Sequence, residues 1–183
     1  MKRILFVVSH LFSGSDNLVT MLNANPRIQI RNSEITYTSP EDLDTFVIEN
    51  PGAYYGDHLL YNSSFCSKQL YESCKFIYVI RPAKATINLL VENKTFSKKM
   101  AVNHYCFRIR RIYEMIKKTP EAVLLTWHDL ASGNWLPLVQ EYIDLDLEKQ
   151  EFPQEYAPDK IVPSDLKEAD ECYEKYLYRM SNL

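Results

Sequence analysis

The chain has 183 residues, a formal net charge of −3 and 46 % apolar residues, a composition typical of one soluble globular domain. Charge is unevenly distributed: residues 75–118 carry 11 Lys and Arg against two acids, and residues 141–183 carry 12 acids against five bases. A basic middle fits an anionic ligand, but the two regions could equally neutralise each other across the fold.

Cysteine usage and the N-terminus exclude further classes of protein. The four cysteines form no Cys-x-x-Cys pair and no metal-ligand spacing, so we expect reduced thiols and no metal. The first apolar run, residues 4–8, is too short for a signal peptide or a membrane span. The sequence therefore predicts a cytoplasmic protein with one domain over residues 1–183, no membrane span and no nucleic-acid partner.

The first 26 residues predict a strand, a loop and a helix. The apolar run at 4–8 predicts a buried strand, and apolar residues recur at helical spacing over about 16–24. The loop between them, residues 12–17, reads Phe-Ser-Gly-Ser-Asp-Asn. Free N–H groups and the positive end of a helix dipole favour an anion, so this segment predicts a P-loop-like phosphate cradle.

Asp16 conflicts with that prediction. A carboxylate about 4 Å from a phosphate costs on the order of 4 kcal/mol at an effective dielectric near 20. An acid in the first turn is also a common helix-stabilising choice, which explains Asp16 without any ligand.

The rest of the chain alternates strands and helices. Ser39 is predicted to cap a helix that begins at Pro40 and ends near Pro51. The clearest helical pattern has an apolar face opposite a basic face that includes Arg108. Strands are predicted at 28–31, 54–57, 76–80 and 123–127, and further helices at 62–73, 84–92, 102–116, 134–143 and from 164 to the end.

This alternation predicts an α/β fold with three layers, αβα, around a central, mostly parallel sheet. Ligands of such sheets bind beyond the carboxyl ends of the strands. The predicted site therefore combines the loop at 9–15, the region around Arg81 and residues 127–129.

Three stretches point to one family. Residues 12–26 place Ser-Gly-Ser before two helical leucines and Asn-Pro, residues 75–82 read Lys-Phe-Ile-Tyr-Val-Ile-Arg-Pro, and residues 123–130 read Val-Leu-Leu-Thr-Trp-His-Asp-Leu. In this order they resemble the sulfotransferase superfamily, whose co-substrate is 3′-phosphoadenosine 5′-phosphosulfate (PAPS). The loop lacks the Gly-Lys-Ser/Thr of a Walker A motif, which argues against an unrelated P-loop phosphotransferase.

The resemblance implies transfer of a sulfuryl group from PAPS to a hydroxyl or amine of a small molecule or glycan, without a metal. Arg81 matches the family's arginine for the 3′-phosphate, and Asn88 stands near the position of its serine partner. Phe12 replaces the loop cation of the family, and Lys84 is a candidate substitute. The implied cofactor-binding residues are Ser13, Gly14, Ser15, Asp16, Asn17, Arg81, Lys84 and Asn88.

Three residues are candidates for the catalytic base that removes the acceptor's proton. Glu34 is similar in position to a glutamate of glycan and tyrosyl-protein sulfotransferases, and His58 stands where many members have the lysine of Gly-Asp-Lys. His10 lies next to the loop and, if protonated, could also stabilise the leaving group.

A second hypothesis remains open at this stage. A sulfotransferase-like fold that has lost transfer chemistry would serve as a nucleotide-binding or interaction module. It is favoured by Phe12, by Asp16 and by the lack of a C-terminal Arg-Lys-Gly loop.

Overall fold

The computed structural model describes residues 3–32, 37, 39–46, 50, 52–60, 68–93, 96–152 and 166–182. Within these ranges one sheet has the strand order β2-β3-β1-β4-β5, and all neighbouring strands are parallel. The strands are β1 (Arg3–Ser9), β2 (Ile28–Asn32), β3 (Tyr54–Leu59), β4 (Lys75–Ile80) and β5 (Ala122–Thr126).

Helices follow the strands in the predicted alternation. They are α1 (Ser15–Asn23), a 3-10 helix (Pro40–Thr45), α2 (Lys68–Ser73), α3 (Ala83–Glu92), α4 (Lys98–Ile116), α5 (Trp127–Ser132), α6 (Trp135–Ile143) and α7 (Lys167–Met180). None of the helices in the described ranges is long and apolar enough to cross a membrane.

The sheet is covered on both faces, which confirms the three-layer prediction. Successive side chains of β1 point to opposite faces. Phe6 and its alternate neighbours pack with residues of α3, α4 and α7. Leu5 and Val7 pack on the other face with residues of α1 and α6. Because β1 is central and buried on both faces, its carboxyl end lies in the middle of one sheet edge.

Two boundaries differ from the sequence prediction. The helix expected from Pro40 to near Pro51 is a six-residue 3-10 helix, because the backbone of Phe46 turns to the extended region and buries its ring against Phe6. β5 ends at Thr126, because the Thr126 hydroxyl accepts the N–H of Asp129 and so caps a short helix that begins at Trp127. The predicted helix start at residues 62–67 lies outside the described residues.

Arg108 departs most from expectation. The helical pattern placed it on a solvent face, but it is 2 % exposed and its Nη2 donates to the Ser9 carbonyl at 2.7 Å. It shares the face of Tyr105 and Ile112, which lie three residues before it and four after it. That spacing was visible in the sequence, but the assumption that arginine is exposed concealed it.

Candidate functional site

The loop after β1 has a backbone that depends on Gly14. Gly14 has φ 89° and precedes the first residue of α1. A Cβ there would lie 3.0 Å from Cζ of Phe152 and 3.3 Å from Cδ1 of Trp127. Both the left-handed conformation and this close packing favour glycine. Phe12 also has a positive φ, 57°, which is uncommon outside glycine.

Side chains from three neighbouring strands meet on the β3 side of this loop. We call Ser9, Ser13, Ser15, Asn32 and His58 the His58 cluster. Sheet register pairs His58 with Val7 of β1 and with Asn32 of β2. His58 Nε2 lies 2.8 Å from the Ser15 hydroxyl and 3.0 Å from the Ser9 hydroxyl.

The hydroxyls of the His58 cluster are also linked to each other. The Ser9 and Ser15 hydroxyls are 2.7 Å apart, and the Ser13 hydroxyl donates to Ser15 Oγ at 2.9 Å. The serines and His58 are at most 2 % exposed. The three serines and His58 therefore form a continuous, buried chain of exchangeable protons that ends at an imidazole, and Asn32 lies at its exposed end.

The hydrogen bonds of His58 indicate its protonation. Its Nδ1 lies 3.0 Å from Asn32 Oδ1, an acceptor, and 3.4 Å from Asp16 Oδ1. The proton therefore belongs on Nδ1, and the Nε2 lone pair faces the serine hydroxyls. Burial lowers the pKa of His58, and the Asp16 carboxylate opposes that shift. The result is a neutral imidazole at neutral pH.

Asp16 lies at the edge of this cluster. Its side chain is 68 % exposed, and its carboxylate faces His58 Nδ1. The residue that conflicted with a phosphate cradle in the sequence is thus an electrostatic partner of the imidazole.

On the β4 side of the loop, a second set of polar residues bonds to the backbone. We call His10, Phe12, Arg81, Tyr105 and Arg108 the Arg81 cluster. Nη1 of Arg81 donates to the Phe12 carbonyl at 3.0 Å, and its guanidinium lies 4.9 Å from the centre of the Trp127 ring. The Tyr105 hydroxyl donates to the Arg81 carbonyl at 2.7 Å.

His10 belongs to this second set by its contacts. Its Nδ1–H donates to the Leu11 carbonyl at 2.9 Å, and its Nε2 accepts the backbone N–H of Arg81 at 3.0 Å. Burial, reinforced by the nearby arginines, lowers its pKa to about 3. His10 is therefore neutral, with both nitrogens engaged by the backbone.

The remaining predicted residues are spread over several elements. Asn17 is half-buried on α1, Asn88 is buried on α3, and Lys84 of α3 acts electrostatically on Asp170 of α7. Glu34 lies outside the described residues. In the part of the chain that the structure describes, no group of three or more His, Cys, Asp or Glu residues is arranged to hold a metal.

Three residues of these clusters, Asn32, Tyr105 and Arg108, were missed as site residues in the sequence, and Ser9 was included only as the first position of the predicted loop. Ser9 and Asn32 end β1 and β2, and a polar residue at the carboxyl end of a parallel strand was the available signal. Tyr105 and Arg108 gave no such signal, because they were part of a helical pattern.

This arrangement has the fold of the sulfotransferases. The crystal structure of mouse sulfotransferase SULT7A1 complexed with PAP is similar over 100 % of this chain and 88 % of its own, with a TM-score of 0.64 and 11 % identity. Retinol dehydratase in complex with androsterone and inactive cofactor PAP matches 97 % of this chain and 66 % of its own, with a TM-score of 0.41 and 10 % identity. No protein-family model and no curated protein matches the sequence.

The likeness to SULT7A1 confirms the fold proposed from the sequence motifs. The low identity marks this chain as divergent within that fold. At this level of identity the fold is shown and the activity is not.

Proposed function

We propose that this chain is a small sulfotransferase that moves a sulfuryl group from PAPS to a hydroxyl or amine of a small molecule or glycan. The observation that carries the proposal is the 2.8 Å contact between His58 Nε2 and the Ser15 hydroxyl. It joins a neutral imidazole to the first residue of α1, where a helix N-terminus favours an anion.

The residues of the loop fit an anionic nucleotide. The hydroxyls of Ser13 and Ser15 can exchange their internal hydrogen bonds for bonds to a phosphate, and the next N–H groups of α1 belong to Asp16 and Asn17. Arg81 contributes a buried positive charge next to the loop, with its Nη1 donating to the Phe12 carbonyl. We assign these residues to the phosphates of the nucleotide, which supplies the sulfuryl group.

Within this proposal His58 is the base. Its Nε2 accepts the proton of the acceptor, and the imidazolium that results is stabilised by the Asp16 carboxylate beside Nδ1. Asn32 holds the ring in the tautomer that leaves Nε2 free of a proton. His10 serves as a structural link, because its nitrogens already bond to the backbone. Glu34 remains a predicted alternative base.

A specific observation favours the second candidate, a nucleotide-binding or interaction module without transfer chemistry. Ser15 is 1 % exposed and His58 is 2 % exposed, and their hydrogen bonds are satisfied within the protein. Such a closed network also fits a purely structural role.

Two measurements separate the candidates. Calorimetry with adenosine 3′,5′-bisphosphate (PAP) is expected to show binding that weakens sharply in Arg81→Ala. Transfer from ³⁵S-labelled PAPS to a panel of phenols, alcohols and amines tests the activity. If PAP does not bind at millimolar concentration, the proposal of a sulfotransferase is wrong, and an interaction module without transfer chemistry remains.

The base is identified by two matched variants. We expect His58→Gln to lose transfer and to keep PAP binding, and Glu34→Gln to keep both. The reverse result assigns the base to Glu34 and leaves His58 a structural role.

A further inference from the structure

A pair of thiols lies between α4 and α7, outside the two clusters described above. Cys106 of α4 and Cys172 of α7 are both half-buried and unoxidised. The Cys172 thiol donates to the Cys106 carbonyl at 3.9 Å, which places the two cysteines next to each other. The rings of Tyr113 and Tyr176, 5.2 Å apart, form another contact between the same two helices.

The pair lines an open cavity. The cavity has a volume of about 570 Å³, and both cysteines contribute to its wall. Two cations, Arg110 and Lys175, line it together with the acids Glu168 and Glu171. A small charged thiol compound can therefore reach the sulfur atoms and find partners of both signs.

The two thiols differ in reactivity. A hydrogen bond from Cys106, aided by the Lys175 ammonium, lowers the pKa of Cys172. The same hydrogen bond, together with burial, raises the pKa of Cys106. Cys172 is thus the thiolate-forming partner and Cys106 the donor that supports it. Cys74, by contrast, is buried in the core, and burial raises its pKa to about 12.

We propose that Cys106 and Cys172 form a reversible disulfide through exchange with a low-molecular-weight disulfide of the glutathione class. The Cys172 thiolate attacks one sulfur of the glutathione disulfide and releases one glutathione thiolate. Cys106 then loses its proton, attacks Sγ of Cys172 in the mixed disulfide and releases the second glutathione. The protein loses two electrons and two protons, and one glutathione disulfide becomes two glutathione thiols.

The disulfide would fasten α7 to the helix that supports the Arg81 cluster. Cys106 follows Tyr105, whose hydroxyl holds the Arg81 carbonyl, and precedes Arg108, which holds the Ser9 carbonyl. The modification site is therefore adjacent in sequence to two residues that position the loop.

The test uses the full chain in glutathione buffers of increasing disulfide fraction, followed by alkylation and peptide mapping. We expect a peptide cross-linked through Cys106 and Cys172 that disappears on reduction. Cys172→Ser should prevent both the cross-link and glutathionylation of Cys106, and Cys106→Ser should leave glutathione on Cys172. Cys74→Ser should leave the cross-link unchanged.

A measurement on the unmutated protein guards against variants that fail to fold. Iodoacetamide should alkylate Cys172 at least tenfold faster than Cys74 at neutral pH, and Lys175→Gln should slow Cys172 severalfold. Lys167→Gln, at an exposed position of the same helix, should not change it. Equal alkylation of Cys172 and Cys74, or a cross-link that involves Cys66 or Cys74 instead, overturns the proposal.

Discussion

The two sides of the loop that follows β1 use polar residues in different ways. In the His58 cluster, side chains bond to side chains: hydroxyl to hydroxyl, and hydroxyl to imidazole. In the Arg81 cluster, side chains bond to the backbone at Leu11, Phe12, Arg81 and Ser9. Both sides are buried, so burial alone does not distinguish a group available for chemistry from a group that holds the fold.

The difference lies in what each set of hydrogen bonds can exchange. Hydroxyl and imidazole protons can change partners without backbone movement, which suits proton transfer. The bonds of Arg81 and His10 instead hold a backbone that includes Phe12 at φ 57°. We therefore expect substitutions in the His58 cluster to affect mainly activity and substitutions in the Arg81 cluster to affect mainly stability, with Arg81 affecting PAP binding as well.

The largest effect is expected from His58→Gln. Loss of a general base lowers the transfer rate by about 10²–10⁴-fold. Glutamine still offers polar atoms to Ser9 and Ser15, so the free energy of unfolding and the affinity for PAP should change little. Labelled-PAPS transfer, urea unfolding and calorimetry measure the three quantities. His128→Gln, at an exposed position, is the control. An equal loss of PAP binding and transfer would assign His58 to nucleotide binding.

The next effect is expected from Arg81→Met, which keeps much of the apolar stem but removes the bond to Phe12. Loss of a charged hydrogen bond should lower the free energy of unfolding by about 1.5–3 kcal/mol. Urea unfolding measures it, with Arg110→Met, an exposed arginine on α4, as the control. A variant as stable as the parent would show that Arg81 does not hold the loop.

A pH-dependent effect of similar size is expected from His10. The pKa of His10 is about 3 in the folded protein and 6.5 ordinarily. Below pH 6.5 the unfolded chain therefore binds a proton at His10, whereas the native protein keeps this histidine neutral. The free energy of unfolding therefore decreases as the pH is lowered below 6.5, by about 1.4 kcal/mol per pH unit for this group. His10→Gln lacks this acid-dependent decrease. The difference in free energy of unfolding between the parent and the variant should therefore become smaller as the pH is lowered from 6 to 4. A constant difference in urea unfolding contradicts a buried, neutral His10.

The smallest effect is expected from Asp16→Asn. The Asp16 carboxylate raises the pKa of His58 against the effect of burial, so its removal lowers that pKa further. The acidic limb of the transfer rate should then move to lower pH. The shift should be less than about one pH unit, because an exposed carboxylate is screened by water and salt.

The control for Asp16 is ionic strength. Concentrated salt should reduce the difference between Asp16→Asn and the parent, and a shift toward higher pH would contradict the assigned pairing. Tighter binding of PAP by Asp16→Asn would show that the carboxylate also repels the nucleotide.

The sequence predicted the features that depend on local pattern. The apolar run of β1 and the helical spacing of α1 place the loop and, with it, Ser13 and Ser15. His58 of β3 became a candidate only through its resemblance to the lysine of Gly-Asp-Lys. The partners of these residues could not be predicted, because they depend on the strand order. Asn32 meets His58 only because β2 lies beside β3 in the sheet.

The roles of His10 and Arg108 were also beyond the sequence. The sequence made His10 a candidate base, and our proposal of a structural role rests on the bonds of its two nitrogens to the Leu11 carbonyl and the Arg81 N–H. Arg108 appeared to be a solvent residue because charged groups are rarely buried unpaired. The helical spacing placed Arg108 on the buried face, but its bond to the Ser9 carbonyl joins residues 99 apart in sequence and could not be predicted from that spacing.

The packing of Phe152 against Gly14 has a consequence for synthesis of the chain. β1 and α1 are synthesised before Phe152, whose ring closes on Gly14 only after β5, α5 and α6 have been made. The loop can therefore reach its final conformation only after a distant segment has been synthesised. Such delays are general in folds that are rich in long-range contacts. A nascent chain that has not yet reached Phe152 should carry the right loop sequence without its final shape.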